Sequence, residues 1–149
     1  MNQQKNKLQL GARIALGLIF TVFGLNGFLN FIPQPPHPGD AGLFLGALAA
    51  TGYMFPLIKG TEVIAGLLLL SGRAVPLALT LLAPVVVNIV AFHLFFEPAT
   101  LALPLFTLAA GLYLAWYHRA VFAPLFATAA HEPNRSRGER AGAHATSAA

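Results

Sequence analysis

The apolar positions of the chain gather into long uninterrupted blocks with short polar punctuation between them. From Ile14 to Pro33 there is no charged residue and few polar ones (Thr21, Asn26, Asn30). That is the length needed to cross a hydrocarbon core of about 30 Å, and it predicts a first membrane helix. The segment Pro33-Gln-Pro-Pro-His-Pro-Gly-Asp40 holds four prolines. Each lacks a backbone donor and restricts its predecessor, so a loop is expected. Asp40 stands where it would cap the apolar stretch Ala41 to Ala50, which is too short to span and predicts a short helix in or near the interface. A second span is expected from about Met54 to Ser71, with Pro56 in its first turn and Gly72 as its stop. Arg73 marks a tight turn, and a third span runs from Pro76 to about Phe96 with Pro84 in its interior. Glu97-Pro98 closes it. A fourth runs from about Leu101 to His118 and ends in the interfacial cluster Trp116-Tyr117-His118-Arg119. A rival division makes Ala41 to Ile58 the second span, but it leaves Val63 to Leu70 too short to cross.

Composition agrees with this pattern and excludes most alternatives. Of the 149 residues, 56% are hydrophobic and 9% are charged, against roughly 25% charged in an ordinary soluble domain. So few charges cannot cover a globular surface in water, so lipid is the expected solvent over most of it. The fold class read from the sequence is therefore all-α, a four-transmembrane-helix bundle with a short interfacial helix after helix one. Residues 1–126 would form the membrane domain. Residues 127–149 have nothing to bury and are expected to be a disordered cytoplasmic tail.

The net charge of +4 fits topology better than nucleic acid. With the N terminus inside, Lys5, Lys7, Arg13, Arg73, Arg119, Arg135, Arg137 and Arg140 all fall on the cytoplasmic side. The two outer loops carry Asp40 and Glu97 and no Lys or Arg, as the positive-inside rule requires. Both termini are thus expected in the cytoplasm, with the chain in a bacterial inner membrane. The opening stretch resembles a signal peptide, yet the apolar run continues to Ile32 with no small-residue cleavage site, so a retained helix is expected. The chain has no cysteine, and thiolate metal sites and thiol redox chemistry are excluded.

The candidate chemistry lies in the polar residues of the spans. Lys59 and Glu62 stand three apart in the second span, on one face and within ion-pairing reach. Facing lipid they would cost about 2.5–3.5 kcal/mol each, so they are expected to point into the bundle or a wet cavity. Counting back at about 1.5 Å per residue places Asn26, Lys59, Glu62, Asn88, His93 and Thr107 all in the outer half. Four helices thus contribute to one expected polar pocket opening outward. The same residues have structural readings: a helix-locking ion pair for Lys59 and Glu62, interhelical hydrogen bonds for Asn26 and Asn88, and a bond from Thr107 back to its own helix. His93 and Glu97, four apart at the outer end of the third span, read first as an interfacial pair and otherwise as two metal ligands or a proton relay; no HExxH run exists, and no metal site is expected. The aromatic residues Phe28, Phe31, Tyr53, Phe55, Phe92, Phe95 and Phe96 fit either an interfacial belt or an apolar vestibule for a flat ligand.

The run Lys59-Gly-Thr-Glu-Val-Ile-Ala-Gly-Leu-Leu-Leu-Leu-Ser-Gly-Arg73, with Pro76-Leu-Ala-Leu and Ala83-Pro-Val-Val-Val-Asn-Ile-Val-Ala-Phe-His93, resembles the DoxX family, as does the opening Arg13-Ile-Ala-Leu-Gly-Leu-Ile-Phe20 with Gly24-Leu-Asn26. The resemblance covers about Ala12 to Phe126. Glu62 and Gly66 match the E-x-x-x-G motif of helix two, and Asn88 with His93 match the helix-three pattern. Many members carry a Lys shortly after the first-helix glycine, where this chain has Asn26-Gly27. The resemblance implies a small four-helix bacterial inner-membrane protein and, from the protein that gives the family its name, a membrane subunit or accessory factor of a quinone-linked redox system. The cofactor implied is a quinone, with none supplied by this chain. The partners implied are the lipid bilayer and either a redox subunit or further copies of the chain, with no nucleic acid. Two readings from other classes are a small-solute or proton-coupled permease and a non-catalytic membrane assembly factor.

Overall fold

The computed structural model describes residues 3–126, and these are helical with no strand among them. In chain order the helices are α1 (Gln3–Leu29), α2 (Gly39–Ala50), α3 (Met54–Ser71), α4 (Val75–Phe96), a short 3-10 turn (Pro98–Thr100), α5 (Ala102–Tyr117) and α6 (Arg119–Phe126). Three of them, α1, α3 and α4, are long and apolar enough to cross a membrane. Helix α5, with 16 residues, is about 24 Å long at 1.5 Å per residue. Residues up to Arg119 form one compact unit, and α6 belongs almost wholly to a second that begins at Ala120. The expected tail, residues 127–149, lies outside the described residues.

Helices α1, α3, α4 and α5 pack in a ring in that order, each against two neighbours, and α2 lies against α3 and α4. Most of their interior is apolar: Leu16 and Phe20 of α1, Ala65 and Leu69 of α3, Leu82 of α4 and Leu114 of α5 are all buried, with Asn26, Glu62 and Thr107 as the buried polar exceptions. The exterior is apolar too. Leu18, Ile64, Leu67, Leu77, Val87 and Leu112 each expose half or more of their surface. A protein folded in water does not leave such a band uncovered, and a lipid solvent accounts for it.

Glycine sets the contact between α1 and α3, which run antiparallel. A Cβ on Gly66 would lie 2.7 Å from the Thr21 backbone nitrogen and 3.0 Å from the Gly17 carbonyl oxygen. On Gly24 it would lie 2.8 Å from Val63 Cγ2 and 3.0 Å from the Val63 nitrogen. The two backbones come close because at each of these contacts one helix offers a glycine, the close approach that small residues permit in membranes.

Basic groups collect at one end of this unit. Arg13 of α1 lays its guanidinium against Gly72, which closes α3 in the left-handed region at φ 71°, and the Tyr117 hydroxyl donates to Asn6 Oδ1 at 3.1 Å. Just past α5, the His118 pKa is held below its ordinary value by burial and, secondarily, by the nearby charge of Arg13. His118 Nε2 is buried with no hydrogen-bond partner among the described residues.

The helix limits correct the sequence reading in places. Helix α1 covers Gln3–Leu29 rather than Ile14 to Pro33. Lysine and glutamine are good helix formers, so the helix continues past its apolar window at the N-terminal side. At the other end Asn30 takes a left-handed conformation at φ 49°, the stop that asparagine tolerates better than most residues. Asp40 is not the cap of α2: Pro38 holds that position and Asp40 lies inside the first turn, with no side-chain cap bond. There its charge faces the positive end of the helix dipole. The rival division fails, because Gly52, left-handed at φ 72°, separates α2 from α3.

Candidate functional site

The ion pair expected from the sequence forms. Lys59 Nζ donates to both carboxylate oxygens of Glu62, at 3.1 Å to Oε1 and 2.9 Å to Oε2. Glu62 is buried at 2% exposure, whereas the Lys59 side chain keeps 22%. Their i,i+3 spacing on α3 aligns them, and Gly27 of α1 makes room for the lysine. A Cβ at Gly27 would run into the Lys59 stem, with Cδ 2.6 Å away.

Two cavities share this pair as a common wall. The larger, about 420 Å³, lies inside the helix ring and is reached by Phe20 and Phe23 of α1, Gln34 and His37 of the loop, His93 of α4 and Thr107 of α5. The smaller, about 280 Å³, lies beneath α2 between α3 and α4 and takes in Phe44, Phe55, Pro84 and Asn88. Leu45, Ile89, Phe92 and His93 line both. The rest of the walls is mainly aliphatic and aromatic, with Gln34, Asn88, Thr100 and Thr107 as the uncharged polar members; Phe44 and Phe92 of the walls are in mutual ring contact with Phe96 at 5.5–5.8 Å.

The loop between α1 and α2 closes the end of the larger cavity and is held at both ends. Asn26 fixes the near end: its Oδ1 accepts from the Ile32 N–H at 2.6 Å and its Nδ2 donates to the Ile32 carbonyl at 3.2 Å. At the far end the His37 ring bonds Glu97, which lies beyond α4. Gly42 lets the loop fold back, since any Cβ there would strike the His37 carbonyl oxygen. His93 stands beside this pair, with Nδ1 2.9 Å from the Thr100 hydroxyl and 3.9 Å from Glu97 Oε2.

Of the six residues expected in one pocket, Lys59, Glu62 and His93 meet at both cavities, Thr107 lines the larger and Asn88 the smaller. Asn26 does not line either cavity, and its amide is spent on the Ile32 backbone. Asn88 is exposed at the rim. The Thr107 hydroxyl donates to the Pro104 carbonyl of its own helix at 2.8 Å. The sequence reading missed His37, Gln34, Thr100 and Phe44. Glu97 had been paired with His93 alone, four residues away; the closer partner comes from a loop 60 residues distant, which spacing along one helix does not reveal. Among the described residues no group of three His, Asp or Glu side chains is placed to hold a metal ion.

The arrangement suits hydrogen bonding to an uncharged group. Lys59 and Glu62 match each other's charge, and the His37 ring bonds Glu97. The ion pair itself leaves no surplus charge for an ionic ligand. No protein-family model, no curated protein and no solved structure matches the chain.

Proposed function

We propose that the chain is a DoxX-like four-helix protein of the bacterial inner membrane, a small membrane subunit or accessory factor of a quinone-linked redox system. In this reading α5 is the fourth crossing, its short length met by local thinning of the bilayer. The end that gathers Lys5, Lys7, Arg13, Arg73 and Arg119 faces the cytoplasm with both termini, following the positive-inside rule.

The observation that carries the reading is the bidentate Lys59–Glu62 pair in the wall of a largely apolar cavity. An ionisable pair at membrane depth beside an aromatic-rich cavity is where a membrane protein handles a ligand or a proton. Lys59 would donate to a ring carbonyl and give that oxygen a proton as a partner subunit supplies two electrons; Glu62 would carry a proton from outside back to Lys59, and water would protonate the other ring oxygen.

Native mass spectrometry of the tagged protein, extracted gently from its own membrane, tests this. The expected result is a quinone-sized adduct or a stoichiometric redox subunit, with the adduct lost in Glu62→Gln. A bare chain in both proteins would overturn the assignment.

A second reading is favoured by the internal matching of the pair: a non-catalytic assembly factor in which Lys59 and Glu62 only lock α3 in place. Replacing both with apolar residues separates the two, because a structural pair is often exchanged at little loss whereas a proton relay is not.

A further inference from the structure

A third space of about 170 Å³ adjoins the larger cavity, sharing Phe20 and Thr107 as lining residues, and runs between α1, α4 and α5 away from the ion pair. The boundary between the two is apolar, because the Thr107 hydroxyl is turned onto the Pro104 carbonyl. Its far part is bordered by Ala83, Gly111 and Ala115, small residues that leave it open. A Cβ at Gly111 would meet nothing within 4 Å. The mouth lies at Val87 and Leu112, each 62% exposed on the face turned to lipid.

A cavity that holds the Lys59–Glu62 pair thus adjoins an apolar groove that opens on the outer face of the bundle. We infer that the site takes a lipid-soluble molecule in two parts, with an uncharged hydrogen-bonding head at Lys59 and Glu62 and an apolar tail laid along the α4–α5 groove past Gly111. The inference rests on the functional reading above and adds the class and pose of the ligand. The space is of the order that holds a benzene-sized group, roughly 150 Å³, so it grips the first few carbons of the tail and lets the rest pass into lipid.

The test uses the full chain purified in detergent and two probes, a benzoquinone without a side chain and the same ring bearing a decyl chain, with affinity measured by titration. Wild type is expected to bind the decyl form more tightly than the bare ring by about tenfold or more, as burial of several methylenes implies. Gly111→Leu, which fills the groove, should bring the decyl form down to the affinity of the bare ring and leave the bare ring unchanged. Ala115→Leu should do the same from a second position. Glu62→Gln should weaken both probes alike. Retention of the bare-ring affinity establishes that a groove variant is folded, and comparison between variants removes the effect of probe partition into micelles. A decyl advantage that survives both groove variants, or no decyl advantage in wild type, overturns the groove and leaves the head site standing. If neither probe binds wild type, the functional reading falls and the groove with it.

Discussion

The stem of Lys59 lies directly across Gly27, at a point where any side chain on α1 would displace it. The direction of the ammonium toward Glu62 is therefore set partly by an absent side chain on another helix. Gly27→Ala should tilt the stem and loosen the grip on Glu62. Overpacking of this kind costs typically 1–3 kcal/mol, and roughly the low end is expected because a lysine stem can swing. Amine-selective labelling read by mass spectrometry should find Lys59 modified severalfold faster than in wild type. An unchanged rate would refute the role of Gly27.

A Cβ on Gly66 would meet the Thr21 hydroxyl and also the Thr21 backbone nitrogen, the latter 2.7 Å away, and main chain cannot swing aside as a side chain can. Gly66→Ala should destabilise the fold by about 2–3 kcal/mol. Gly111→Ala, with open space around it, should lie within about 0.5 kcal/mol of wild type. Denaturation midpoints of the two variants give the comparison, and equal midpoints would contradict the close contact of α1 with α3.

Removing one member of the buried pair leaves the other uncompensated. Lys59→Met should destabilise by about 3–5 kcal/mol, whereas Lys59→Met with Glu62→Leu should recover most of that loss. The double-mutant cycle measures the coupling directly. Additive effects would mean that the two groups do not interact in the folded protein.

His118 introduces a pH dependence at the basic end. Its pKa is lowered from the ordinary 6.5, by burial first and by Arg13 second. The folded state thus binds this proton less readily than the unfolded state. The stability it contributes is present above about 6.5 and is lost as pH falls through the lowered folded value. Melting temperatures taken from about pH 7.5 down to 5 should fall, and His118→Gln should flatten that part of the profile. A profile equally steep in the variant would assign the titration to another group.

The loop over the cavity depends on Asn26. Asn26→Ala leaves both Ile32 backbone groups without their side-chain partner and should cost about 1–3 kcal/mol. Hydrogen exchange at residues 30–38 should accelerate while the middle of α3 stays protected. No change in that loop would show that Asn26 does not hold it.

Much of this arrangement was legible in the chain because the decisive signals are local. Met54–Ser71 emerges with the predicted bounds, since a proline in the first turn and a glycine past the last one mark a helix at both ends. The Lys59–Glu62 pair was equally readable, as spacing on one helix is enough to align two side chains. What escaped depends on which helices meet. That Asn26 turns to Ile32, that His37 reaches Glu97, and that Phe44 joins Phe92 and Phe96 are properties of loops and of packing between distant segments. Depth counted along each helix placed Asn26 and Asn88 at a suitable height but did not give their direction around the helix axis. Hydropathy likewise marked the apolar window of α1 and not its ends, because charged residues end a window without ending a helix.

The contact of α1 with α3 also determines where the molecule can yield. Where Gly17, Gly24 and Gly66 bring two backbones together, the contact includes main-chain atoms that cannot rotate aside, and that wall is mechanically stiff. On the opposite side α4 and α5 are held partly apart by the groove beside Ala83 and Gly111. Expansion or contraction of the cavity is therefore borne by the compliant pair, α4 and α5, moving against a stationary α1 and α3. Lys59 and Glu62 stand on the stationary side, so the ion pair keeps its position while the space in front of it changes.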